Sequence, residues 1–222
     1  MINNSLIYLS LLISGCLLTF LCFFPELDLM FSRLFYDSVK GFIYKQNIIV
    51  KLIYFSIPFI TKFFIAILLI YLIYMSIKCK SFKVLYKSTI CYLILAALIG
   101  PGIIVNSSLK NYHGRARPAQ VVEFGGNKNF TIAILPSDSC SSNCSFPSGH
   151  AAMAFYFTSL AYALGNVRDR FNKIYIAALL FGILVGISRI LMGGHFLSDV
   201  AASCFIILIF NHIIYLLWRR YV

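Results

Sequence analysis

Six apolar runs, at about 5–24, 52–77, 88–106, 148–165, 174–192 and 196–217, constrain what this chain can fold into. Each is near the roughly 20 residues that an α-helix needs to cross the hydrocarbon core of a bilayer. Within that core every backbone N–H and C=O has to be satisfied inside the segment, so runs of this length span as helices. Six crossings and the loops that join them take up the 222 residues, and no separate soluble domain fits. Only 12% of residues are charged, against about 25% in a soluble domain. The expected fold is therefore all-α: a polytopic, six-transmembrane-helix bundle forming one domain over 1–222. The run at 5–24 has no charged leader and no small-residue cleavage site, and is read as a first span, not a cleaved signal.

Charge predicts the orientation. A net charge of +12 would point to nucleic acid in a soluble protein. Here the cations sit mostly between apolar runs. They are read as topology signals and contacts to anionic headgroups, with no nucleic-acid partner. The 78–87 link carries Lys78, Lys80, Lys83 and Lys87 without an acid, the 166–173 link carries Arg168, Arg170 and Lys173 against Asp169, and Arg219 and Arg220 lie just before the C-terminus. By the positive-inside rule these are cytoplasmic, and the loops 25–51 and 107–147 face outward. Segment 25–50 mixes aromatics, aliphatics and charges at helical spacing and is expected to be an interfacial helix. If the outward loop meets an oxidising compartment, Cys140 and Cys144 are expected to pair.

Three polar stretches lie at the outward ends of the spans: Lys110-(x6)-Arg117-Pro118, Pro147-Ser148-Gly149-His150, and Ser188-Arg189-(x5)-His195-(x3)-Asp199. Together they supply what phosphoryl transfer through a histidine requires. Ser148 is expected to cap the fourth span, leaving free N–H groups beside Gly149 for an anion. Lys110, Arg117 and Arg189 are expected to surround the same phosphate and offset its charge. On a helix His195 and Asp199 share a face, so the carboxylate is expected to fix the imidazole tautomer and leave the other ring nitrogen as nucleophile. His150 is then the expected proton donor and acceptor. His113 and Arg115, inside the first stretch, are read as substrate contacts or loop residues, with Arg115 the better candidate for contact. A His-x-x-x-Asp pair also suits a metal, but the neighbouring cations oppose one, and neither a metal nor a cofactor enters the expected chemistry.

The motif set K-x6-RP, PSGH and SR-x5-H-x3-D resembles the type 2 phosphatidic acid phosphatase (PAP2) superfamily over about residues 100–205. That resemblance implies a helical bundle, a metal-free phosphatase and a site at the outer membrane face. It implies His195 as nucleophile, Asp199 as its partner, His150 as acid, and Lys110, Arg117, Ser148, Gly149 and Arg189 as phosphate ligands. The Phe-Pro-Glu-Leu-Asp segment at 24–28, the Cys140/Cys144 loop before Pro147, and Gly-Gly-His-Phe-Leu-Ser-Asp at 193–199 are similar to bacterial lipid A phosphatases. This implies hydrolysis of a lipid A 1- or 4′-phosphate at the periplasmic face of the inner membrane. Undecaprenyl diphosphate and phosphatidylglycerophosphate phosphatases share the same core and stay open as alternatives. A non-catalytic anionic-lipid binder or transporter is the alternative from another class.

Overall fold

The structure is a computed structural model describing residues 2–79, 88–220 and 222. Its long elements follow the apolar runs. Helix α1 spans Asn4–Phe23, capped by Asn3, whose side chain accepts the Leu6 N–H. A short α2 (Glu26–Arg33) and a hairpin of β1 (Tyr36–Asp37) and β2 (Gly41–Phe42) lead into α3 (Ile48–Cys79). Then come α4 (Thr89–Tyr112), α5 (149–164), α6 (Arg168–Leu191) and α7 (Leu197–Arg219). Lys80, Lys83 and Lys87 of the basic link lie outside the described residues.

Among the described residues five helices are long and apolar enough to cross a membrane: α1, α3, α4, α6 and α7. The sixth expected crossing is present as α5, but a 3-10 turn at Tyr156–Thr158 divides it into Gly149–Phe155 and Ser159–Leu164. The break has local causes. The Thr158 hydroxyl donates to the Phe155 carbonyl at 2.8 Å. Asn211 of α7 donates to the Tyr156 carbonyl at 3.3 Å and to Thr158 Oγ1 at 3.0 Å. A side chain of the neighbouring helix thus supplies the partners that the interrupted ladder leaves without one.

Helix α4 is irregular where it approaches Lys110. Residues Leu98–Leu109 are π-helical around Gly100-Pro101-Gly102. Pro101 has no N–H to give the preceding turn, and Asn106 Nδ2 donates to the Pro101 carbonyl at 2.6 Å. The wider coil ends at Lys110. Helices α5 and α6 pack closely because Gly182 has no side chain: a Cβ there would lie 2.1 Å from the Phe155 ring. Small residues permit such backbone approach between membrane helices.

The bundle has two distinct ends. At one, Asn3 bonds Asn172 at 3.0 Å and Tyr92 packs on Trp218 at 5.7 Å, so the starts of α1, α4 and α6 meet the end of α7. The other end is covered by α2, the hairpin and the 113–147 loop. The expected interfacial helix over 25–50 is helical only to Arg33. Asp37 Oδ1 then accepts the Val39 and Lys40 N–H groups at 2.9 and 2.8 Å, a side-chain turn that favours the hairpin over further helix. Tyr36, Phe42 and Phe124 pack as a cluster above Phe196.

Candidate active site

His195 lies in the tight turn between α6 and α7, just before the N-cap Phe196. Its side chain is 1% exposed. Nδ1 is 2.7 Å from the Ser145 carbonyl oxygen. A carbonyl only accepts, so Nδ1 carries the proton and the Nε2 lone pair is left free. Nε2 is buried and has no hydrogen-bond partner among the described residues. Burial holds the His195 pKa down at about 3, with Asp199 opposing the shift and the Arg189 and Arg117 charges adding to it. The ring is therefore neutral at neutral pH, the state in which an imidazole nitrogen is a nucleophile.

Asp199 does not hold His195 by a direct hydrogen bond. Because His195 precedes the helix, the two are not on one helical face, and Asp199 Oδ2 stays 3.7 Å from Nδ1. The carboxylate is committed elsewhere. Oδ2 accepts the Ser145 hydroxyl at 2.5 Å and the Phe196 N–H at 2.8 Å, and Oδ1 accepts Arg115 Nη1 at 2.6 Å. Asp199 thus caps α7 and faces Nδ1 with its charge, while the Ser145 carbonyl takes the tautomer-fixing bond expected of it.

Arg115 corrects a second expectation. It is fully buried, and its guanidinium is taken up by protein partners. Its donors go to Asp199, Ser198 Oγ, Asp28 Oδ2 and the Thr131 carbonyl, all at 2.6–2.9 Å. Its guanidinium lies 4.4 Å from the Phe196 ring centroid and 5.4 Å from that of Phe130. Burial alone would lower its pKa, but Asp199 and Asp28 outweigh this and raise it. Breaking such a buried ion pair costs about 3–5 kcal/mol. His113 is also buried and stacks on Phe146 at 4.3 Å. Neither residue is placed as a substrate contact.

The remaining expected residues converge. Ser148 caps α5, its hydroxyl 3.5 Å from the Ala151 N–H. A Cβ on Gly149 would stand 2.6 Å from Asn106 Oδ1 and 3.2 Å from Lys110 Nζ, which puts the ammonium against the Gly149 backbone. The charges of Arg189, Lys110 and Arg117 all act on His150, as does His195. Arg117 is held by the Asn143 carbonyl, 3.2 Å from Nε and 2.7 Å from Nη2, at the turn closed by the Cys140–Cys144 disulfide. Arg189 is buried with its Nε unpartnered. Three cations, two histidines and a glycine backbone thus surround one place, a geometry able to hold a phosphate against a neutral imidazole.

Three residues in contact with the candidate site escaped sequence reasoning. Tyr54 of α3 lies between His150, whose ring stacks on it at 4.6 Å and 22°, and Arg189, whose guanidinium sits 4.4 Å from its centroid. Ser145 holds both His195 and Asp199. Asp28 of α2 holds Arg115 and Ser198. None stands at a motif spacing. For Asp28 two signals were available: it ends the Phe-Pro-Glu-Leu-Asp segment at 24–28, and it is an acid at a membrane boundary, where unpaired charge is costly.

Comparison with known proteins places the chain in a family. The lipid A 4′-phosphatase of Francisella tularensis subsp. novicida (strain U112) is 32% identical over 202 residues, covering 90% of both chains. A lipid A 4′-phosphatase of Rhizobium etli is 32% identical over 198 residues, covering 80% of this chain and 73% of its own. The crystal structure of the transmembrane PAP2 type phosphatidylglycerolphosphate phosphatase from Bacillus subtilis superposes with a TM-score of 0.56 at 20% identity, covering 99% of this chain and 98% of that one. Residues 89–221, which hold all three motifs, match the PAP2 superfamily, and the chain belongs to that superfamily.

Proposed function

We propose that this protein removes the 4′-phosphate of lipid A at the periplasmic face of a bacterial inner membrane, through a phosphohistidine on His195. It is a lipid phosphatase of the PAP2 type and a multi-pass membrane protein. The observation that carries the mechanism is the buried His195 ring, with Nδ1 bound to the Ser145 carbonyl and Nε2 free. The likeness to two lipid A 4′-phosphatases over most of the chain supports the substrate. The basic links and C-terminus support the orientation.

In the first step Nε2 attacks phosphorus and the bond to the lipid oxygen breaks. His150, protonated once the phosphate dianion offsets the neighbouring cations, donates its proton to that oxygen and becomes neutral. Lys110, Arg117 and Arg189 hold the phosphoryl oxygens while charge moves in the transition state. The ring becomes positively charged on forming the P–N bond, and Asp199 stabilises it at 3.7 Å. In the second step water attacks phosphorus, His150 takes its proton, the P–N bond breaks and inorganic phosphate leaves. No metal is required.

The test is phosphate release from lipid A by the purified protein in detergent with EDTA, the product mapped by mass spectrometry. Loss of the 4′-phosphate, abolished in His195→Ala, is expected. Activity that EDTA removes and zinc restores would overturn the metal-free mechanism. Turnover confined to undecaprenyl diphosphate or phosphatidylglycerophosphate would overturn the substrate.

A further inference from the structure

Asp28 is far in sequence from the three motifs and 1% exposed. Its Oδ1 accepts the Ser198 N–H at 2.9 Å, and its Oδ2 accepts the Ser198 hydroxyl and Arg115 Nη2, the latter at 2.8 Å. Ser198 Oγ in turn accepts Arg115 Nη1 at 2.8 Å. Three donors converging on one carboxylate is the pattern of the ionised form. Burial raises the Asp28 pKa against the pull of Arg115, so those donors are what the anion relies on.

The consequence is electrostatic. Arg115 lies between Asp28 and Asp199, with both ion pairs fully buried. With Asp199 alone, Arg115 would form a neutral pair and little field would reach His195. With Asp28 added, two carboxylates share one guanidinium and the trio keeps one net negative charge beside Nδ1. Charge in a water-poor site acts strongly. We infer that Asp28 is a positioning residue for catalysis: it occupies one side of Arg115 and so leaves the Asp199 charge available to stabilise the cationic ring formed when His195 is phosphorylated. This rests on the phosphohistidine reading above.

The experiment compares wild type, Asp28→Asn, Asp28→Asn/Arg115→Gln and His195→Ala, each checked for folding by thermal unfolding in detergent and assayed on lipid A. Asp28→Asn makes the trio neutral; kcat is expected to fall by about tenfold or more with KM little changed. The double variant restores the single negative charge on Asp199, and its kcat is expected to exceed that of Asp28→Asn. A purely structural role predicts the reverse, because the double variant loses more bonds. Wild-type kcat in folded Asp28→Asn, or a double variant no better than the single, overturns the inference. If Asp28→Asn does not fold, the double variant decides: turnover supports the inference, and a folded protein as inert as His195→Ala overturns it. Full activity in His195→Ala would instead overturn the phosphohistidine reading itself.

Discussion

His195 Nδ1 and the Ser145 carbonyl oxygen are 2.7 Å apart, and that contact assigns the imidazole tautomer. A backbone carbonyl cannot donate, so the proton has to stay on Nδ1 and the lone pair on Nε2. Ser145 also donates its hydroxyl to Asp199. One residue therefore positions both the imidazole and the carboxylate behind it.

The first prediction concerns protonation. The His195 pKa is depressed to about 3 by burial, so the Nε2 lone pair is lost only as pH falls through that region. Nitrogen NMR of histidine-labelled protein is expected to show the His195 ring neutral from about pH 8 down to about pH 5, where an ordinary imidazole titrates. The linked stability has the same sign. The unfolded imidazole takes up its proton near pH 6.5, so the contribution is complete above that and shrinks as pH falls toward 3. A ring that titrates near pH 6.5 in the folded protein contradicts the assignment.

Ser145→Ala separates the two roles of that residue. The carbonyl bond to His195 remains and the hydroxyl bond to Asp199 is lost. A hydrogen bond to a charged group is worth about 1.5–3 kcal/mol, so kcat is expected to fall on the order of tenfold, with the His195 tautomer unchanged. Asp199→Asn is expected to cost more, since the charge itself goes. Equal losses in the two variants would contradict this ranking.

Tyr54 is expected to matter through its ring. Tyr54→Phe keeps the surfaces that touch His150 and Arg189, and should retain most of the turnover. Tyr54→Leu removes both ring contacts. Cation–π contacts are worth about 0.5–2 kcal/mol, so a loss of roughly tenfold in kcat/KM is expected. A Phe variant as impaired as the Leu variant would assign the effect to the hydroxyl.

Reduction of Cys140–Cys144, or Cys140→Ser, frees the turn whose Asn143 carbonyl holds Arg117. Arg117 is an expected phosphate ligand, so KM for the lipid phosphate should rise. Assays with and without a mild reductant check this, and an unchanged KM would show that Arg117 holds its place without the bridge.

Gly182→Ala tests the packing of α5 against α6. The new methyl meets the Phe155 ring, and overpacking of this kind costs about 1–3 kcal/mol. The thermal unfolding midpoint in detergent is expected to drop, while kcat at low temperature stays near wild type because no site residue is touched. An unshifted midpoint would mean that Phe155 can move aside.

Local pattern carried the helices, and it carried them well. The runs at 5–24 and 196–217 became Asn4–Phe23 and Leu197–Arg219 to within a few residues, because a bilayer leaves an apolar run of that length one way to satisfy its backbone. The break in α5 was not legible, since it depends on Asn211 from another helix. The residues expected to hold phosphate lie close together for a similar reason to the helices: they mark the same ends of the spans. Asp28, Ser145 and Tyr54 act by pairing across the fold, and nothing within a few residues of any of them marks the partner. Arg115 was misread because a cation between two motif residues looks like a third ligand, whereas its partners lie 84 and 87 residues away.

The turn at 140–145 has a consequence for how such a protein can diversify. Asn143 anchors Arg117, and two residues later Ser145 anchors both His195 and Asp199. A substitution that reshapes this turn would therefore move the Arg117 guanidinium and the His195 imidazole together. The hairpin at 36–42 offers no independent route, because its Phe42 ring packs against Gly193 and Phe196 beside that imidazole.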